Sequence, residues 1–306
     1  MKRYYSLFLF FFVFIASSCI RLGNQGTPKG YVRYCVRLLD RQALYSDSPQ
    51  WRQTKDSILL VSKNISSFDE AHSLVSRAAH IAGGKHSQLL PPVKDTASYQ
   101  EIAPEVKLME NGIVYVLLPA HSGIKVPDSL YLHTVLDFLL AHQDAQGVVL
   151  DLRGNRGGNM YPMIAAVSPL LPDGIILKFK GRKRTVPVSL DYVLSSNGLA
   201  AGEIPKFPST LPVAILTDEW TGSSGEAVLL CFRGLGNARS FGIPTAGFAS
   251  ANIVEPLSDG YTLLITVSCN EARTGEVFCD DPVSPDVETQ TPLEDAEAWI
   301  KENYYL

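Results

Sequence analysis

Residues 221–232 read TGSSGEAVLLCF and follow the apolar run PVAILT at 212–217. Two adjacent serines at the start of an apolar segment pose a choice between local structure and chemistry. Ser223-Ser224-Gly225-Glu226 has the S-x-x-E form of a capping box, in which serine and glutamate satisfy each other's backbone donors at a helix start. A second turn with chemical content is DLRGNRGG at 151–158, which follows the apolar GVVL. Glycine-rich turns from strand to helix leave backbone N–H groups pointing into a crevice, as an anion requires. Neither turn carries G-x-x-x-x-G-K-[ST] or G-x-G-x-x-G, so a nucleotide site is not indicated. One turn that offers N–H groups beside another that offers a hydroxyl fits an oxyanion hole next to a nucleophile.

A serine is a weak nucleophile without a base. All six histidines precede residue 143. His72, His80, His133 and His142 fall on helical segments, where a surface or half-buried histidine is the ordinary case. His121, in PAHSG just past an apolar strand, is placed to line a cleft. His86, in GGKHS, closes a helical stretch. No cysteine or histidine pair has zinc spacing and H-E-x-x-H is absent, so neither metal nor cofactor is expected.

The elements that must position these groups are legible from periodicity. Residues 31–82 repeat apolar positions at three and four, over Tyr31–Leu39, Trp51–Val61 and Phe68–Ile81, which predicts a small helical module. From residue 112 strands alternate with helices. Strands are expected at Ile113–Leu118, Gly147–Leu152 and Pro212–Thr217, with a hairpin over Ile175–Val188 and short strands near Ser240, Ile253 and Leu263. Helices are expected at Ser129–His142, Met160–Leu171, from Ser223, and at Leu293–Tyr304, with Ser189–Thr210 as irregular loop. This alternation argues for an α/β sheet covered by helices.

The amino terminus reads as a secretory signal: Lys2 and Arg3, an apolar run from Leu7 to Ile15, then Ala16-Ser17-Ser18-Cys19. Small residues ending on a cysteine resemble the lipobox of bacterial lipoproteins, which makes Cys19 the expected lipidation site. Residues 1–18 are assigned as signal peptide, 19–30 as a lipidated Gly- and Pro-containing tether, 31–95 as the helical module and 96–306 as the α/β core. The expected location is the bacterial cell envelope, on the periplasmic or an outer-membrane surface. A formal charge of −4 leaves no basic footprint for nucleic acid. Of the five cysteines, Cys269 and Cys279 flank the turn ARTGE and face each other across it, as a disulfide or as free thiols.

Taken in order, GVVLDLRGNRGG, PVAILTDEWTGSSGEAV, FGIPTAGFAS and VSPDVE resemble the successive motifs of the tail-specific, or C-terminal processing, serine protease family. The resemblance spans roughly residues 31–290 and implies a serine endopeptidase of polypeptides with a crotonase/Clp-protease-like α/β core. It implies Ser223 as nucleophile, three residues before Glu226, and an oxyanion hole from Gly157 or Gly158 N–H with Ser224 N–H. The well-known branch carries a lysine after G-x-x-T-x-G, where this chain has Phe248. The tricorn-like branch is similar in taking a histidine ahead of the core, which nominates His86, with His121 as the alternative base. A late acidic residue belongs to that pattern, with Asp280 as candidate and Asp281 or Glu276 nearby. Too few residues separate His86 from Ile113 for the PDZ domain many members carry. With imidazole as base, activity is expected to rise through the neutral region, near the ordinary histidine pKa of about 6.5. The interphotoreceptor retinoid-binding proteins resemble the same core, so the alternative is a catalytically inactive module that binds an apolar ligand or peptide. The oligomeric state is not indicated.

Overall fold

A computed structural model describes residues 25–92, 100–200 and 202–303. The stretch expected as signal peptide, 1–18, and Cys19 lie outside the described residues. Three helices come first: α1 (Pro28–Gln42), α2 (Pro49–Val61) and α3 (Phe68–Gly83). Thr27, Ser48 and Ser67 cap them by accepting first-turn N–H groups, and Pro28 and Pro49 stand where no donor is needed. The stretch expected as tether is therefore shorter than 19–30. Thr27-Pro28 reads as loop punctuation in the sequence but acts as a cap and a first-turn proline. Ala71, Ala78, Ala79 and Ala82 give α3 a small-residue face, and α1 packs on it through Tyr31, Cys35, Leu38 and Leu39.

The remaining elements are β1 (Gln88–Leu90), β2 (Glu105–Leu108), β3 (Ile113–Leu117), α4 (Asp128–Ala141), β4 (Gly147–Asp151) and α5 (Met160–Ala166). Then come β5 (Ile175–Gly181), β6 (Thr185–Ser189), α6 (Leu190–Ser196), β7 (Val213–Thr217), α7 (Ser224–Phe232) and β8 (Ala238–Gly242). The chain continues through β9 (Ser250–Pro256), β10 (Thr262–Glu271), β11 (Val277–Phe278), β12 (Val287–Glu288) and α8 (Pro292–Asn303). Helix α6 lies in the stretch expected as irregular loop. It forms because Ser189 caps it, accepting from Tyr192 N–H, while Leu190, Val193 and Leu194 are buried.

Two sheets result. One runs β12-β8-β7-β4-β3-β2, parallel except for the edge strand β2. Its two faces are apolar, as a covered parallel sheet requires. Val148 and Leu150 join the core with α4, α5 and α7, while Val149 on the other face meets Ala296 and Ile300 of α8. The second sheet is antiparallel, ordered β1-β10-β5-β6 with β9 and β11 also on β10. Its Leu263 and Ile265, with Leu257 of the β9–β10 connection, share one core with the helices α1–α3. The helical module is thus one side of the second sheet, and the strand-to-helix turns belong to the first.

Candidate active site

Strands β4 and β7 are parallel neighbours, Leu150 opposite Ile215, so the turns at their carboxyl ends emerge side by side. This is where ligands bind in open α/β sheets. The two turns are stitched together. Asp218, just past β7, accepts Gly154 N–H with both oxygens at 3.0 Å and also accepts Trp220 and Thr221 N–H. Thr221 Oγ1 donates to Leu152 O at 2.9 Å, and Gly222 N–H donates to Asn155 O at 2.8 Å. Ser224 Oγ donates to Gly158 O at 2.5 Å. A Cβ on Gly225 would stand 2.7 Å from Asn155 O, so this close approach requires glycine.

Ser223 sits before α7 with φ 53° and ψ −113°, and among the described residues it alone has positive φ without being glycine. Such strain of about 1–3 kcal/mol persists only where the surroundings impose it, and it concentrates at functional sites. The Glu226 half of the expected capping box is present, Ser223 N–H donating to Glu226 Oε2 at 2.8 Å. The same carboxylate accepts Gly247 N–H and Phe248 N–H at 2.8 Å and the Thr245 hydroxyl at 2.5 Å. Burial pushes the Glu226 carboxyl above its usual range, while these donors pull the other way. Glu226 is therefore a buried hub that ties the serine turn to the loop 245–248.

Among the glycines of the other turn, Gly157 N–H donates to Asn155 Oδ1 at 2.9 Å. Gly158 has φ 126° and lies against His121, whose N–H donates to Gly157 O and whose carbonyl accepts Asn159 N–H. The His121 ring lies between two carboxylates. Its Nε2 is 2.6 Å from Asp128 Oδ1, its Nδ1 is 3.4 Å from Glu101 Oε1, and the ring lies on Tyr131. His121 is a support for the glycine turn, buried between two carboxylates.

His86 follows α3 through Gly84, whose φ of 80° turns the chain, and it is buried. Its Nδ1 is 2.9 Å from Ser250 Oγ, at the start of β9, and its ring meets the Phe248 ring edge-on at 5.1 Å. Phe248 donates its N–H to the carboxylate that also holds Ser223 N–H, so His86 and Ser223 flank the same loop. Lys85 Nζ donates to Ala246 O at 3.2 Å and lies 4.7 Å over the Phe248 ring. Burial, and then the Lys85 charge, lower the His86 pKa to about 4. The neutral-pH switch expected from an ordinary imidazole does not suit this environment.

Asp280 lies against the turn that precedes His86. Its Oδ2 accepts the Tyr45 hydroxyl at 3.4 Å and abuts Gly84, so it braces the turn from behind. Glu276 pairs with Arg233 at 3.3 Å, on another edge. Ser250 takes the place at the imidazole, and sequence reasoning missed it. The stretch FGIPTAGFAS contains it, but only the pairing of β9 with β10 shows which way it points. Cys269 and Cys279 form a disulfide, with Cα atoms 4.6 Å apart, which decides between the two alternatives the sequence left open. Cys269 is the β10 partner of Ser250, and Cys279 precedes Asp280.

Residues 113–289 match peptidase family S41. The chain is 33% identical over 280 residues to the nisin-resistance protein of Lactococcus lactis subsp. lactis, covering 90% of this chain and 87% of that one. It is 25% identical over 199 residues to the carboxy-terminal processing protease CtpA of Bacillus subtilis, which is 65% of this chain and 39% of that longer protein. Among solved structures, a lipoprotein from Streptococcus agalactiae superposes with a TM-score of 0.79 at 28% identity, covering 90% of this chain and 96% of that one.

Proposed function

The chain belongs to peptidase family S41, and on that premise we propose that it is a serine peptidase working through Ser223 and His86. The observation that carries this reading is the strained Ser223 backbone at the start of α7, on a turn bonded to the glycine turn. In this mechanism His86 Nδ1–H donates to Ser250 Oγ, 2.9 Å away, and Nε2 takes the Ser223 proton. Ser223 Oγ then bonds to the substrate carbonyl carbon. The oxyanion that forms is met by Gly158 N–H and Ser224 N–H. Gly157 N–H, held by Asn155, serves to shape the turn. As the C–N bond breaks, His86 returns its proton to the leaving amine. Water enters along the same path: His86 takes its proton as the water oxygen bonds to the acyl carbon, and as the C–O bond to Ser223 breaks His86 returns that proton to Ser223 Oγ, releasing the acid.

The substrates in this reading are polypeptides met in the cell envelope. A relative covering most of the chain is named for nisin resistance, and a structural neighbour is a lipoprotein. Cys19 is the proposed anchor, and Cys19→Ser is expected to abolish acyl labelling. The test of the mechanism is labelling by a fluorophosphonate probe. Labelling is expected in the wild type and in Lys85→Met, and is expected to be lost in Ser223→Ala and nearly lost in His86→Ala. Equal labelling of wild type and Ser223→Ala would remove the peptidase reading and leave the inactive binding module.

A further inference from the structure

Trp220 stands three residues before Ser223 on the same turn, and half of its surface is exposed. Trp51, by contrast, is fully buried in the helical module. Nothing about the Trp220 position is loose. Its N–H donates to Asp218 Oδ1 at 3.0 Å, and the next residue is bonded to the same carboxylate. The guanidinium of Arg156 lies 4.3 Å from the indole centroid and holds one part of the ring in place. Arg156 directly precedes Gly157 and Gly158, so the indole rests on the turn that offers the oxyanion donor. Between Trp220 and Ser223 the chain has Gly222, where a Cβ would stand 3.3 Å from Ala246 Cβ and 3.8 Å from Phe248 Cδ2. The Phe248 ring thus lies close to a residue without a side chain, two positions after Trp220 and next to the proposed nucleophile.

We infer that Trp220, steadied by Arg156, is a substrate subsite that takes an apolar or aromatic side chain of the polypeptide next to the scissile bond. The inference rests on the peptidase reading and adds a preference to it. A large aromatic surface left in water is unfavourable by itself, and the loss is recovered when a second apolar group covers it. A rigid indole contributes strongly to recognition because little side-chain freedom remains to be lost on binding. Arg156 fixes the ring before the substrate arrives, and Asp218 fixes the backbone beneath it. A peptide side chain laid on the indole brings its neighbouring carbonyl toward Gly158 and Ser224.

The test uses the full chain in the Ser223→Ala background, so that binding is read without turnover. Two capped hexapeptides are compared that differ only in a central Phe or Ser. The Phe peptide is expected to bind about tenfold tighter and to shield one tryptophan from a collisional quencher. Adding Trp220→Ala should abolish the preference, and Trp220→Phe should keep part of it. Circular dichroism melts of each variant show that the fold is retained. A preference that persists in Trp220→Ala, or equal affinity for the two peptides in the parent, overturns the subsite. Fluorophosphonate labelling of the otherwise wild-type chain separates the two readings. A Trp220-dependent preference without labelling of Ser223 removes the peptidase and keeps the subsite. Labelling with no Phe preference does the reverse.

Discussion

At the scale of single residues, His86 as the proposed base would link catalysis to stability. Burial and Lys85 hold its pKa at about 4 in the fold, against about 6.5 in an unfolded chain. Between those values the unfolded state binds a proton that the native state refuses. Stability that is present above pH 6.5 is therefore lost as pH falls toward 4, on the order of 3 kcal/mol. The urea midpoint of the wild type is expected to drop across this window more steeply than that of His86→Gln. The same environment keeps the base unprotonated well below neutrality. The acidic limb of kcat/KM should lie near pH 4 to 5, and an inflection at 6.5 would show that the imidazole is solvated. On the proposed mechanism Ser250, 2.9 Å from Nδ1, orients the imidazole, so Ser250→Ala should lower kcat by about ten- to a hundredfold with little change in KM. Ser250→Thr, which retains the hydroxyl, should recover most of it.

At the scale of elements, the two turns after β4 and β7 work as one body because backbone meets backbone between them. Gly158 shows how little room there is. A Cβ there would stand 1.8 Å from the His121 carbonyl oxygen, and φ is 126°. Gly158→Ala is expected to displace the turn and cost about a hundredfold or more in kcat, the scale of a lost oxyanion donor. Gly154 on the same turn is the control. Its φ is 72°, but a Cβ would meet nothing within 4 Å. Gly154→Ala should cost only about 1–2 kcal/mol of left-handed strain in stability, with activity near wild type. Steady-state kinetics and thermal melts of the two variants separate obstruction from strain.

At the scale of the whole molecule, the proposed catalytic groups come from two parts of the fold. Ser223 and the glycine turns stand on the parallel sheet. His86 and Ser250 stand where the helical module meets the antiparallel sheet. The disulfide lies behind the second pair: Cys269 is paired with Ser250 across β9–β10, while Cys279 adjoins the Asp280 that backs Gly84. Closing this short loop is worth about 3 kcal/mol by chain-entropy reasoning. Reduction, or the Cys269→Ser/Cys279→Ser pair, should lower the melting temperature by several degrees. It should also reduce kcat more than KM, because it loosens the base while leaving Ser223 and Trp220 in place. An unchanged kcat in the reduced enzyme would show that the base side needs no such clamp.

Much of this protein could be read from its chain order. Periodicity marked the helices α1 to α3, the strands β3, β4 and β7, and the hairpin β5–β6, because burial on one face imprints a local repeat. Glycine runs marked both functional turns, since positive φ and close backbone approach restrict the residue type locally. The turns of Arg153–Gly158 and Thr217–Ser224 were therefore visible before the fold was. Tertiary structure alone decided which polar groups meet. Ser250 at His86, Asp280 behind Gly84, and His121 between Glu101 and Asp128 are contacts set by strand register or by side-chain direction. No local pattern encodes them, because residues such as His86 and Ser250, 164 positions apart, are brought to 2.9 Å only when the helical module packs on its sheet.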